Sequence, residues 1–192
     1  MTRREEVRLK LLRKMPRNAV AAEIGVWNGG FSRVILDTTK PAELHLIDPW
    51  AYQPEFSNTM FGRPRNATRM DPMYESVRQE FSGDDRVTLH RKKSEEALAT
   101  FPDNYFDWVY IDGNHNEPFV TADLECCFKK VKPGGIISGD DYLWRHDEEL
   151  PVRSAVTKFR QSFETDPDFR TFGQQYLIRL PNPKPEKTAL VA

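Results

Sequence analysis

Apolar residues fall along the chain in short runs separated by polar, glycine-rich or proline-rich stretches, and the spacing inside each run says what it forms. Val7, Leu11, Leu12 and Met15 recur between charges at a helical period, which predicts an amphipathic helix over 1–15 with Leu9 off its apolar face and Pro16 as its stop. AVAAEIG (19–25) is nearly continuous and apolar, as a buried strand must be. After Asn28-Gly29-Gly30, the stretch FSRVILDTT returns to the helical period with Phe31, Val34 and Ile35 inward. LHLIDPW (44–50), RVTLHRK (86–92), FDWVYID (106–112) and IISG (136–139) repeat the strand pattern, and residues 117–130 read as a helix closed by Lys132-Pro133-Gly134-Gly135. Short strands alternating with helices predict an α/β fold, a Rossmann-like, doubly wound and mostly parallel sheet with helices on both faces.

Two stretches break the rhythm. AYQPEFSNTMFGRPRNATRMDP, ahead of a helix near Met73–Phe81, has scattered aromatics and no clean period; a loop of that length in a compact domain is expected to be an insertion or lid, placed here over 51–73. After Pro151, VRSAVTKFRQSF predicts a further helix, and FRTFG with QQYLIRL predicts an antiparallel hairpin. The chain is thus expected to be one domain over 1–181, followed by a flexible Pro/Lys-rich tail over 182–192.

Composition narrows the function classes. Lys plus Arg number 28 against 29 Asp plus Glu, so the formal charge of -1 leaves no basic footprint for nucleic acid. No run approaches the ~20 apolar residues of a membrane span, and the charged N-terminus lacks a signal-peptide core, so a cytoplasmic protein without a membrane partner is expected. Cys126 and Cys127 are neighbours in a predicted helix, which rules against a disulfide between them and leaves them as reduced filler. Asn66-Ala67-Thr68 matches a glycosylation acceptor by chance in such a chain.

Candidate chemistry gathers at strand ends. In Glu23-Ile24-Gly25-Val26-Trp27-Asn28-Gly29-Gly30 the glycines let the backbone approach a ligand where the first strand turns into the first following helix, although the spacing is neither that of a dinucleotide fold nor that of a P-loop. Asp48 ends the second strand, where a carboxylate accepts hydrogen bonds from ribose hydroxyls; singly it would pass for a helix cap, but beside the glycine loop it favours a nucleoside.

Five motifs in order, AEIGVWNGGFS, LHLIDPW with FDWVYIDGNH, the later ADLE, and VKPGGIISGDDY, resemble the class I S-adenosylmethionine-dependent methyltransferases. Within that class the chain is similar to small-molecule O-methyltransferases of the macrocin and mycinamicin sugar type and, more distantly, to the catechol type. The resemblance covers Ala19 to Tyr142 and implies a seven-stranded sheet whose last strand is antiparallel. It implies S-adenosylmethionine as cofactor, with Glu23, Gly25, Trp27 and Gly29 around its methionine and ribose end and Asp48 on the ribose. Pro49 and Trp50 would lie near the adenine, together with Lys93, Ser94 and Glu95, while Ser94 also reads as a plain helix N-cap. It further implies Mg²⁺ held by Asp112, Asp140 and Asp141, an oxygen trio suited to a hard cation; the alternative for Asp140-Asp141 is a turn cap. His115 falls where the catechol type carries its catalytic group, so it is a candidate base with Asp112 beside it, or an orienting hydrogen-bonder. Asn116-Glu117-Pro118 departs from the family's usual aromatic after the histidine, Asn114 offers a helix cap, and Trp144 offers a pocket floor or packing. His146 with Asp147-Glu148-Glu149 reads as a solvated loop. The expected acceptor is a small-molecule hydroxyl on a sugar or natural product. Rival readings are a cofactor-binding protein without turnover and a nucleic-acid methyltransferase, and the N-terminal helix would serve a homodimer, a lid or a core cover equally.

Overall fold

The computed structural model describes residues 2–57 and 59–185. Their strands are β1 (Val20–Ile24), β2 (Glu43–Ile47), β3 (Val87–His90), β4 (Phe106–Ile111), β5 (Val131–Gly139), β6 (Asp168–Phe172) and β7 (Gln175–Arg179), joined in one sheet of order β3-β2-β1-β4-β5-β7-β6. The first five run parallel, and β7 runs antiparallel to both β5 and β6, as the hairpin pattern required. The helices are α1 (Arg3–Leu12), α2 (Gly30–Thr39), α3 (Met70–Phe81), α4 (Ser94–Leu98), α5 (Glu117–Lys130) and α6 (Pro151–Gln161).

Strand alternation builds a core on each face. Ala21, Trp108 and Tyr110 pack with residues of α1, α2 and α3, while Ala22, Val109 and Ile111 pack with α4, α5 and α6. Phe106 joins the second set because the β4–β5 register shifts between Phe106 and Trp108. There Val131 pairs with Phe106 and Ile136 with Trp108, so Lys132–Gly135 loops out of the ladder where the sequence predicted a turn.

Helix α1 stops three residues short of the predicted span, and its first turn is fixed by a capping box: the Glu5 N–H donates to Thr2 Oγ1 and the Thr2 N–H to Glu5 Oε2. Leu11, Leu12 and Met15 are buried, so this helix spends its apolar face on its own chain; Val7 and Leu9 are both half-buried. Helix α3 begins at Met70, ahead of the predicted start, since Pro72 falls in the first turn where its missing N–H costs no bond. Asn66 is fully buried, its amide donating to the Met60 carbonyl (2.7 Å), which leaves no glycosylation acceptor on the surface. Cys127 is buried and Cys126 half-buried, both with free thiols. Of the expected tail, 186–192 lies outside the described residues; Lys184 docks, its ammonium donating to the carbonyls of Phe128 and Val131 at the end of α5. Among the described residues no helix is long and apolar enough to cross a membrane.

After β1 the chain moves outward through β2 to β3, then returns to lay β4 on the other side of β1. That reversal leaves a crevice at the carboxyl ends of β1 and β4, the place where open α/β sheets bind ligands.

Candidate active site

A cavity of about 810 Å³ fills the crevice. Its floor is the β1 turn. Gly25 has φ +87°, and a Cβ there would meet the Asp112 carbonyl oxygen at 2.0 Å, so β1 and β4 approach this closely only because the residue is glycine. The strands are tied at the same level by Asp112 N–H to Ile24 O (2.7 Å) and Gly25 N–H to Ile47 O (2.9 Å).

Asp48 secures the loop. Its Oδ2 accepts from the N–H of Val26 and of Trp27, both at 3.0 Å, and its Oδ1 from that of Trp50 at 2.7 Å. A carboxylate offers roughly four lone-pair sites, so three backbone bonds leave room for one further donor rather than a pair of ribose hydroxyls. Burial pushes its pKa up, and the same three N–H groups pull it back only in part. Glu23 lies behind it, almost fully buried, accepting from the Ser32 hydroxyl; burial pushes its carboxyl up to about 8.

Most of the residues marked from sequence line this cavity: Glu23, Gly25, Trp27, Asp48 and Pro49 at one end, Lys93, Ser94 and Glu95 beside them, and Asp112, Asn114, His115, Asp141 and Trp144 at the other. Three do not. Trp50 is only 1% exposed, its indole N–H donating to the Trp27 carbonyl (2.8 Å) and its ring tilted against Tyr74, so it props the loop from within the core. Gly29 starts α2 with φ +77°, and a Cβ there would press on Phe81 and Val77 of α3, so its role is packing. Asp140 is 3% exposed and turned onto α1. Ser94 is no N-cap: Lys93 occupies that position, and the Ser94 hydroxyl donates to the buried carboxylate of Asp123 on α5, which burial pushes up to about 7. Asn116 rather than Asn114 occupies the cap position of α5, and the Asn114 side-chain oxygen braces it by accepting its backbone N–H (3.0 Å). His146 to Glu149 form an exposed loop.

The far end holds a cluster of titratable groups. His115 Nε2 lies 2.6 Å from Asp141 Oδ2 and 3.9 Å from Asp112 Oδ1, with Trp144 edge-on at 5.4 Å between ring centroids. Burial lowers the His115 pKa, more than Asp141 and Asp140 raise it, so the imidazole is neutral at pH 7. Burial and the neighbouring Asp140 push Asp112 up to about 7, against the pull of Arg8. For Asp140 the arginines prevail over burial and hold its carboxyl below the usual range.

Arg4 and Arg8 were not marked from sequence. Arg8 Nη2 donates to Asp112 Oδ2 (2.8 Å) and to Asp140 Oδ2, Arg8 Nε to Asp140 Oδ2 (2.9 Å), and Arg4 Nη2 to the same oxygen (2.8 Å). Gln175 and the Asp141 N–H occupy Oδ1 of Asp140. The signal that could have found them is their spacing: four apart on one helix, they share a face. An aromatic wall was also missed: Phe56 of the 51–73 insertion meets Phe119 of α5, with ring centroids 4.9 Å apart, and Phe61 of the same insertion packs edge-on against Phe56.

The three carboxylates expected to hold Mg²⁺ are thus partnered differently, Asp140 by the arginines of α1 and Asp141 by His115. Asp140 has its oxygens taken, and among the described residues the metal-ligating groups whose ligand atoms lie within 4.8 Å of one another are Asp112, His115 and Asp141. A donor set with an imidazole is softer than Mg²⁺ prefers, and a guanidinium already sits on Asp112.

A doubly wound sheet with the antiparallel β7 hairpin, a glycine turn closed by the acidic residue just after β2, and a cavity at the switch point agree with the sequence's family, which makes the chain an S-adenosylmethionine-dependent methyltransferase. The chain belongs to a Methyltransferase domain family, whose pattern matches residues 22–142. Among solved structures it is similar to the O-methyltransferase NovP, with 21% identity, TM-score 0.65, and 91% of this chain and 80% of that one covered. It also resembles a putative rRNA-methylase from Clostridium thermocellum (12% identity, TM-score 0.62, 93% and 97% covered) and the N-methyltransferase NodS from Bradyrhizobium japonicum WM9 (14%, 0.58, 93% and 96%). At these identities the likeness is one of fold. No curated protein matches the sequence.

Proposed function

We propose that this methyltransferase moves the methyl group of S-adenosylmethionine to a hydroxyl of a small molecule. The observation that carries the reading is the His115–Asp141 pair at 2.6 Å on the cavity wall beside Asp112. A hydroxyl attacks a sulfonium methyl only as it gives up its proton, and a neutral imidazole is a suitable acceptor near pH 7. With Nε2–H donated to Asp141, the Nδ1 lone pair is left for the substrate, and Asp141 steadies the imidazolium that forms. Gly25 and Asp48 would hold the cofactor at one end of the cavity and His115 would face the acceptor at the other, and such positioning of two reactants supplies much of the rate.

The aromatic wall of Phe56, Phe61 and Phe119 favours an acceptor with an apolar body, and a cavity of about 810 Å³ has room for cofactor and small acceptor together. The near-zero net charge argues against a polyanionic acceptor. NovP, described as an O-methyltransferase, is consistent with this reading.

The test is transfer of an isotopically labelled methyl group from S-adenosylmethionine to a panel of hydroxylated aromatic and glycosylated acceptors. Label is expected on an oxygen, with kcat lowered by about 10²-fold or more in His115→Ala. Label on RNA, or transfer unchanged by His115→Ala, would overturn the reading.

A further inference from the structure

Three carboxylates at adjacent strand ends would repel one another unless a cation gathered them. Asp112 ends β4, Asp140 and Asp141 follow β5, and all three lie near the cavity wall. Helix α1 supplies a cation. Arg8 reaches in from it with its side chain 17% exposed, sets Nη2 between Asp112 and Asp140, and lays its guanidinium 4.3 Å over the Phe31 ring. Arg4, one turn earlier, adds a second guanidinium at Asp140, 3.6 Å from Asp141 Oδ2. Leu11 and Leu12, both fully buried, and the Thr2–Glu5 capping box hold α1 where these two side chains converge.

We propose that Arg8, supported by Arg4, is the resident cation of this site, holding Asp112 and Asp140 where a divalent ion would otherwise gather them. A guanidinium is well suited to bridging carboxylates, being planar, always charged, and able to donate to two of them at once. With Asp140 fully engaged, Asp141 is left to His115. Between Asp112 and Asp140 a divalent ion could enter only by displacing Arg8, because it would have to share their oxygens with a positive group at hydrogen-bond distance, and the remaining Asp112, His115 and Asp141 offer it an imidazole and a carboxylate that the same guanidinium already holds. Arg8 is a positioning residue here, since it acts through the carboxylates. Its place is the end of the cavity proposed to take the methyl acceptor, but its role as resident cation stands or falls on metal binding rather than on turnover.

The test is titration with Mn²⁺ alone, followed by electron paramagnetic resonance, on the wild type, Arg8→Lys, Arg8→Gln and Arg4→Gln/Arg8→Gln, with circular dichroism to verify folding. The wild type and Arg8→Lys are expected to bind no Mn²⁺ up to about millimolar concentration. The double variant is expected to bind at least ~10-fold more tightly, and adding Asp140→Asn is expected to abolish that gain. Wild-type binding as tight as that of the double variant would overturn the proposal, and so would a folded double variant that binds no better than wild type. The wild-type arm decides even where a variant fails to fold. Calorimetry with S-adenosylmethionine, run in parallel, separates a failure of this inference from a failure of the methyl-transfer reading.

Discussion

Gly25 shows how much a single residue carries. Its φ of +87° and the 2.0 Å that would separate a Cβ from the Asp112 carbonyl mean that Gly25→Ala must push β1 and β4 apart or unwind the turn. A cost of about 2–4 kcal/mol is expected in urea denaturation, with cofactor affinity lost, since backbone strain of this kind and a steric clash add. Glu23 gives a pH signature. Its folded pKa of about 8 lies above the ordinary 4.5, so the folded state holds the proton more tightly. The stability this contributes is full below about pH 4.5 and is lost as pH rises through about 8. Glu23→Gln, which cannot ionise, should therefore gain on wild type in melting temperature as pH rises from 5 to 9; a difference independent of pH would show that Glu23 titrates normally. For His115 the sign runs the other way: its lowered pKa makes the base form available through neutral pH, so kcat should be flat above pH 7 and fall only below the ordinary imidazole value of 6.5.

At the scale of elements, α1 connects stability to the site. Leu11 is fully buried against the sheet face that also holds Ala21, Trp108 and Tyr110, so Leu11→Ala should cost about 2–5 kcal/mol. The same substitution should speed hydrogen exchange across α1 ahead of the central strands, and withdraw Arg8 from the carboxylates. Elements with a strong period were legible from the residues alone: β1, β2, β4, the α5 and α6 helices and the hairpin all stand where alternation and turn chemistry put them. What was not legible depended on tertiary partners. Ser94 carries a good capping signal, but Asp123, buried 29 positions later in the chain, outcompetes a backbone N–H for its hydroxyl. The resemblance puts Trp50 near the adenine, and nothing in its position along the chain says that Tyr74 of α3 folds over it.

For the whole molecule, the topology was readable because parallel strands need helical crossovers and a terminal hairpin must join antiparallel. The site was readable in half. Residues on the glycine turn and at strand ends announce themselves by position, and Gly25, Trp27, Asp48 and Pro49 all line one cavity. The other end of the cavity is built by α1, the 51–73 insertion and α5, which meet only in three dimensions; the spacing of Arg4 and Arg8 put them on one helix face without saying which carboxylates they would meet, and the phenylalanines had no local signature. Binding energy should be felt by the entire fold: cofactor at about 100 times its Kd should add ~2.7 kcal/mol to unfolding, visible as a rise in melting temperature.

The most direct measurement is a calorimetric titration of the purified chain with S-adenosylmethionine and with its demethylated product, on wild type and Asp48→Ala. Micromolar binding of both ligands, weakened at least ~10-fold by Asp48→Ala because the glycine loop loses the carboxylate that accepts its three N–H groups, is the expected result. Wild-type protein that binds neither ligand would contradict the account at its centre.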